Sequence, residues 1–124
     1  MGKKQRTIQW RDECEAGNYP AALSYLSLIY ARKRAEKLVA QLRKGALAAF
    51  KAKDIFRASG LSLLGVSNFH VEKDRDKIKR GKALSPLLLV RDPDNGKVIV
   101  ADGYHRLCAV YGFDEDALIS CKIV

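Results

Sequence analysis

Thiol chemistry has little to work with in this sequence: its three cysteines, Cys14, Cys108 and Cys121, form neither a CxxC pair nor an even set. That pattern argues against a disulfide framework and against a structural zinc site, and predicts reduced thiols. Cys108 and Cys121 lie in apolar periodic segments, where a free cysteine serves as a small buried hydrophobe, and Cys14 reads as a surface or half-buried bystander. No apolar stretch approaches the ~20 residues that a bilayer crossing needs. Nothing near the start joins a positive region to an uninterrupted apolar run. Internal repeats, low-complexity tracts and obvious linkers are missing as well. The expectation is a soluble, cytoplasmic protein with no membrane association.

What is present is a hydrophobic fraction of 48% in 124 residues, enough for one modest core, and a formal net charge of +9. The charge is unevenly spread: residues 1–53 hold 12 basic and 4 acidic side chains, whereas residues 83–124 hold 4 and 6. A basic surface of this kind attracts polyanions through its field, so nucleic acid, anionic lipid and nucleotide are all admitted as partners, beside plain solubility.

Along the chain, Met1–Thr7 reads as a frayed basic arm. A short helix is expected over Ile8–Glu15, ended by Gly17 and Asn18. Pro20 suits the first turn of a second helix reaching Tyr30, with Leu23, Leu26 and Tyr30 on one face and Tyr25 and Ile29 widening it. Its tyrosines read as core or rim rather than stacking platforms. The spacing of Ala35, Leu38, Val39 and Leu42 predicts a helix over Arg32–Arg43, stopped by Gly45. Phe50 marks a short strand, followed by a helical turn capped by Asp54. After a polar loop from Ser67 to His70, the charged segment Val71–Arg80 reads as an exposed helix with Gly81 as its stop. Leu84–Val90 has the continuous apolar character of a strand buried on both faces, with Pro86 near its beginning. Asp92–Gly96 is a turn, Lys97–Ala101 returns as the second arm of a hairpin, Tyr104–Tyr111 is a helix stopped by Gly112, and Leu118–Val124 closes as a strand. The class is α+β: an N-terminal helical segment (1–45) packed on a mixed unit (46–124) with a small sheet and flanking helices.

The segment Ala101-Asp102-Gly103-Tyr104-His105-Arg106 is the expected functional centre. A strand ends and a helix begins within three residues, Gly103 permits a backbone that other residues resist, and the first helical turn presents N–H groups to an anion. Arg106 adds a forked, permanently charged donor set, and His105 a donor whose charge changes near neutral pH. Phosphate is the natural ligand. A purely architectural reading stands beside this one: Asp102 as a helix cap, Gly103 as a turn, Arg106 bridged to an acidic neighbour.

The order of elements from about Phe50 to Val124, together with the Gly103-Tyr104-His105-Arg106 turn, resembles the ParB/sulfiredoxin superfamily. Partition proteins of this type carry a GERR-like turn at this place and sulfiredoxins a GCHR turn, whose Gly, His and Arg match Gly103, His105 and Arg106. The resemblance implies a ParB/sulfiredoxin-like fold whose turn holds nucleotide phosphates: ATP or ADP in the sulfiredoxin and free-serine-kinase branches, CTP in partition proteins; phosphoryl transfer would add Mg²⁺ to screen those phosphates. Fold analogy does not choose among them.

Tyr104 stands where sulfiredoxin has its nucleophilic cysteine, and a phenol cannot perform that sulfur chemistry. Sulfinic-acid reduction is therefore not expected, and the 124 residues hold no counterpart of the helix-turn-helix reader of partition proteins. Phosphoryl transfer or nucleotide hydrolysis would need a carboxylate to take a proton. Asp102 is the nearest, either orienting His105 or holding the metal through water, and these two are the candidate catalytic residues; Asp54 and Glu72 are weaker alternatives. Gly103, Tyr104, His105 and Arg106 are the candidate phosphate ligands. By the resemblance, Asn68 and His70 reach the turn from across the site. Lys82 and Ser85 either touch the nucleotide or end a helix and begin a strand. Arg91 neutralises Asp92 or Asp94. The alternative function is a non-catalytic nucleic-acid or protein-interaction module that uses the basic N-terminal helices.

Overall fold

A computed structural model describes residues 7–62 and 68–124. The expected basic arm (in 1–6) and the start of the polar loop (Ser67) lie outside the described residues. The elements run α1 (Asn18–Leu26), α2 (Arg32–Lys44), β1 (Ala48–Lys51), α3 (Ala52–Ser59), α4 (Phe69–Lys79), β2 (Leu87–Asp92), β3 (Lys97–Asp102), α5 (Tyr104–Phe113) and β4 (Leu118–Ile123). The strands form a mixed sheet in the order β1-β4-β2-β3. β2 and β3 are an antiparallel hairpin, β1 and β4 pair antiparallel, and β2 and β4 run parallel. The α+β class therefore holds at this level. Among the described residues no helix is long and apolar enough to cross a membrane.

Alternation along the inner strands explains the layering. Leu87 and Leu89 of β2, Val100 of β3, and Ile119 and Cys121 of β4 face one core, filled by Ile55 of α3, Val71 and Ile78 of α4 and Leu107 and Val110 of α5. Leu88, Val90 and Ala101 face the other, covered by Ala22 and Leu26 of α1 and by Ala35, Leu38, Val39 and Leu42 of α2. The apolar run ending at Val90 is continuous because side chains of period 2 are buried on both sides.

Several local expectations need correction. Ile8–Glu15 is not a helix: Arg11 N–H donates to Leu84 O at 2.8 Å and Leu84 N–H to Gln9 O at 2.9 Å, so this backbone pairs with the entrance to β2. Gly17 and Asn18 begin α1 instead of ending a helix, and Gly17 has an ordinary right-handed φ of −69°. The buried stripe of α1 is Tyr19, Ala22 and Leu26, which leaves Tyr25 and Ile29 exposed. α3 is a full helix whose N-cap is Lys51, with Asp54 in the first turn rather than at the cap. Its Ala52, Ile55 and Ser59 bury at helical spacing. Gly112 does not stop α5, which continues to Phe113. Cys14 is buried at 6% exposure, its Sγ 3.7 Å from Pro86 O. Burial raises the Cys14 thiol and pushes Cys121 up to about 11, so both stay protonated near neutrality.

One buried charge lies under α1 and α2. Its neighbours on β4 face the first core, so Lys122 points to the second, where it is 3% exposed. Its ammonium donates to Glu13 Oε1 at 2.9 Å, Tyr19 Oη at 2.9 Å and Arg43 O at 3.1 Å, which satisfies its three donors. The Tyr19 hydroxyl donates in turn to Glu13 Oε1, and the Arg43 guanidinium lies 4.5 Å from the Tyr19 ring centre. The Lys122 hydrogen bond, with those from Cys14 N–H and Tyr19, holds Glu13 down at about 2 against an ordinary 4.5. A carboxyl depressed on folding contributes stability that is full above about 4.5 and is lost as pH falls through about 2. Urea midpoints measured from pH 6 to pH 2 are thus expected to fall more steeply in the wild type than in Glu13→Gln, with the excess confined to that window.

Candidate anion-binding cleft

The hairpin brings Asp102 to the end of β3, and a register shift between Leu88 and Leu89 leaves Ala101 without a partner across the ladder. Such a bulge twists a strand end and re-aims the residues beyond it. Gly103 comes next at φ +109°, in the left-handed region. A Cβ there would lie 2.6 Å from Leu87 Cγ and 2.9 Å from the Arg106 guanidinium, so absence of a side chain is required on two counts. Among the described residues α5 begins with no side-chain cap, and first-turn N–H groups of this kind suit an external acceptor.

Across from this turn, α4 presents His70, Lys73, Asp74 and Lys77, spaced i, i+3, i+4 and i+7 on one face. With Asp102, Gly103, Tyr104, His105 and Arg106 they line a cleft of about 220 Å³. The imidazoles of His70 and His105 stand 4.8 Å apart. Burial, the neighbouring His70 and Arg106 lower His105, against an opposing pull from Asp74. Burial raises Asp74 even though Arg106, Lys77 and both histidines favour its charged form. Arg106 is tied on one side, its guanidinium 2.9 Å from Asp102 Oδ2 and 3.4 Å from Pro86 O. Among the described residues its Nε is buried with no acceptor. A buried donor left without a partner is costly.

The sequence-predicted residues separate into two groups. His70, Asp102, Gly103, Tyr104, His105 and Arg106 meet in the cleft; Asn68, Lys82 and Ser85 do not line it. Asn68 is the N-cap of α4, its Oδ1 accepting from His70 N–H at 3.0 Å and Val71 N–H at 3.2 Å. Lys82 is exposed after α4. Ser85 is buried, its Oγ accepting from Glu15 N–H and from the Asn18 amide, and thus tethers the N-terminal segment to the entrance of β2. Asp102 ends β3 paired with Arg106 and does not cap α5. Arg91 is exposed, and among the described residues it makes no ion pair with Asp92 or Asp94. Of the weaker carboxylates, neither Asp54 nor Glu72 lines the cleft. Lys73, Asp74 and Lys77 were missed; their three- and four-residue spacing with His70, on the face flanking the buried Val71 and Ile78, is the signal that finds them.

Asn68→Ala is expected to lower stability by about 1 kcal/mol through loss of the cap, while leaving anion affinity within twofold. Chemical denaturation and ligand titration of the same variant check both halves.

Comparison of the chain with profiles of known protein families, with curated proteins and with solved structures returned no match.

Proposed function

We propose that this chain binds a nucleoside di- or triphosphate, with its phosphates in the cleft between α4 and the start of α5. The observation that carries the reading is convergence: Lys73, Lys77, His70, His105 and Arg106 reach one cleft from two helices, beside a helix start with no side-chain cap. Fixed positive charge and first-turn N–H groups suit phosphate oxygens, which accept several hydrogen bonds at once. The ParB/sulfiredoxin resemblance belongs to the same proposal and supplies its candidates, ATP, ADP and CTP.

Mg²⁺ enters this reading as an ion carried by the phosphates. Among the described residues no three His, Cys, Asp or Glu side chains are grouped so as to hold a metal ion, and the two carboxylates of the cleft stand among cations. Turnover would fall to Asp74 or Asp102 as proton acceptor, with His105 beside them.

Isothermal titration with ATP, ADP and CTP, with and without Mg²⁺, tests binding; a folded sample that gives no heat with any of them refutes the proposal. His105 supplies an internal check. In the free protein its imidazole is expected to titrate below the ordinary 6.5, and phosphate binding is expected to raise it because the charged ring gains an anionic partner. Affinity accordingly strengthens as pH falls from 8 to 6, and NMR of the imidazole resonances reports both effects.

A second reading rests on a different surface. Arg32, Lys33, Arg34 and Lys37 are all exposed on α2, and among the described residues the one ion pair they make is Arg32 with Glu36, at 3.2 Å. A face of this kind suits a nucleic-acid backbone. It requires salt-sensitive DNA or RNA retention that is lost when Arg32, Arg34 and Lys37 are reversed and is untouched by Arg106→Ala.

A further inference from the structure

The turn at Gly103 has a second side. Beyond it lies a groove of about 420 Å³ that shares Asp102, Gly103, Tyr104 and His105 with the phosphate cleft and is otherwise walled by Tyr25 of α1, Leu61, and Val100 and Ala101 of β3. Its size falls in the range of small-molecule sites, roughly 300 to 1,000 Å³. Two of its walls are large side chains left outside both cores: Tyr25 is 42% exposed and Leu61 39% exposed. The Tyr104 hydroxyl donates to Ser62 O, which fixes the residue next to Leu61 at the edge of the groove. The two hollows thus differ in chemistry on either side of one backbone turn, cationic over α4 and aromatic-aliphatic toward α1.

Resting on the nucleotide reading, we propose that this groove is the nucleoside subsite: the base lies against the Tyr25 ring and Leu61, the ribose crosses the Gly103 turn, and the phosphates descend to Arg106. A ligand with an anionic end and a flat apolar end matches the pair of hollows, and continuity through Asp102–His105 lets one molecule fill both. Every base has a π-face, so an aromatic wall accepts bases by stacking. The N-terminal helical segment thereby becomes part of the binding site through α1, in addition to covering the sheet.

The test compares a nucleoside triphosphate with inorganic tripolyphosphate on the intact chain. The nucleotide is expected to bind about tenfold more tightly, the contribution of one stacked base. Tyr25→Ala with Leu61→Ala is expected to bring nucleotide affinity down to the tripolyphosphate level without changing tripolyphosphate affinity, and Tyr25→Phe is expected to keep the wild-type value. Saturation transfer from the protein to the base protons of the wild-type complex needs no variant and is expected to be strong. Equal affinity for the two ligands, nucleotide affinity indifferent to loss of Tyr25 and Leu61, or base protons that receive no saturation would each overturn the subsite while leaving phosphate binding in place. Binding of neither ligand by the wild type would refute the nucleotide reading and the subsite together.

Discussion

Gly103→Ala is expected to destabilise the fold by about 3 kcal/mol, the sum of a left-handed backbone imposed on alanine and an overpacked contact. The thermal midpoint should drop by roughly 10 °C for a chain of this size. The new methyl carbon would meet Leu87 Cγ at 2.6 Å. Leu87 is fully buried at the start of β2 and has no space into which to retreat. The same methyl presses on the Arg106 guanidinium at 2.9 Å, so anion affinity should fall together with stability. Calorimetry on the variant measures the first effect and ligand titration the second. A midpoint within 2 °C of the wild type would mean that the turn relaxes more freely than its packing indicates. The comparison with Gly81→Ala is instructive: there φ is +71° but a Cβ meets nothing within 4 Å, so only the backbone cost of about 1 kcal/mol applies.

Arg106→Met is expected to weaken nucleotide and tripolyphosphate binding alike by about 100-fold, the loss of two charge-assisted hydrogen bonds. Arg106→Lys should recover no more than a tenth of that, because an ammonium supplies charge without the planar fork. Asp102→Asn carries the opposite sign. Asp102 holds the guanidinium at 2.9 Å and neutralises part of its charge, so its removal should raise phosphate affinity about threefold. If Asp102 instead holds a metal through water, the same change lowers affinity in Mg²⁺ and leaves it unaltered in chelator. Titrations in the two buffers separate these outcomes, and thermal midpoints confirm that each variant is folded.

Much of the sheet was legible in the residues. Leu84–Val90 announced a strand with two buried faces, which begins only after Pro86, and the Asp92–Gly96 turn announced the hairpin, because both signals are local. The turn into α5 was legible for the same reason, since Gly103 and the strand before it are neighbours in sequence. Two things were hidden. Ile8–Glu15 has enough apolar content for a helical reading, yet its backbone pairs with Leu84, more than 70 residues away, and no local pattern reports a partner at that distance. The second half of the cleft was hidden in a helix so dense in charge that Lys73, Asp74 and Lys77 look like ordinary solvated residues. Only the docking of α4 beside α5 distinguishes the charges that face His105 from those that face water. Tyr25 belongs to the same class, because the stripe Tyr19-Ala22-Leu26 turns it outward.

The position of β4 also bears on how the chain reaches this fold. The strand latest in sequence lies inside the sheet, between β1 and β2, and carries Lys122 beneath the earliest helices. During synthesis, α1 and α2 therefore leave the ribosome long before the strand that joins β1 to β2, and until it arrives the backbone of Leu87–Leu89 lacks its ladder partner on that edge. Folding is consequently expected to be slowed by closure of contacts that span most of these 124 residues, and most open to aggregation in the interval before β4 inserts.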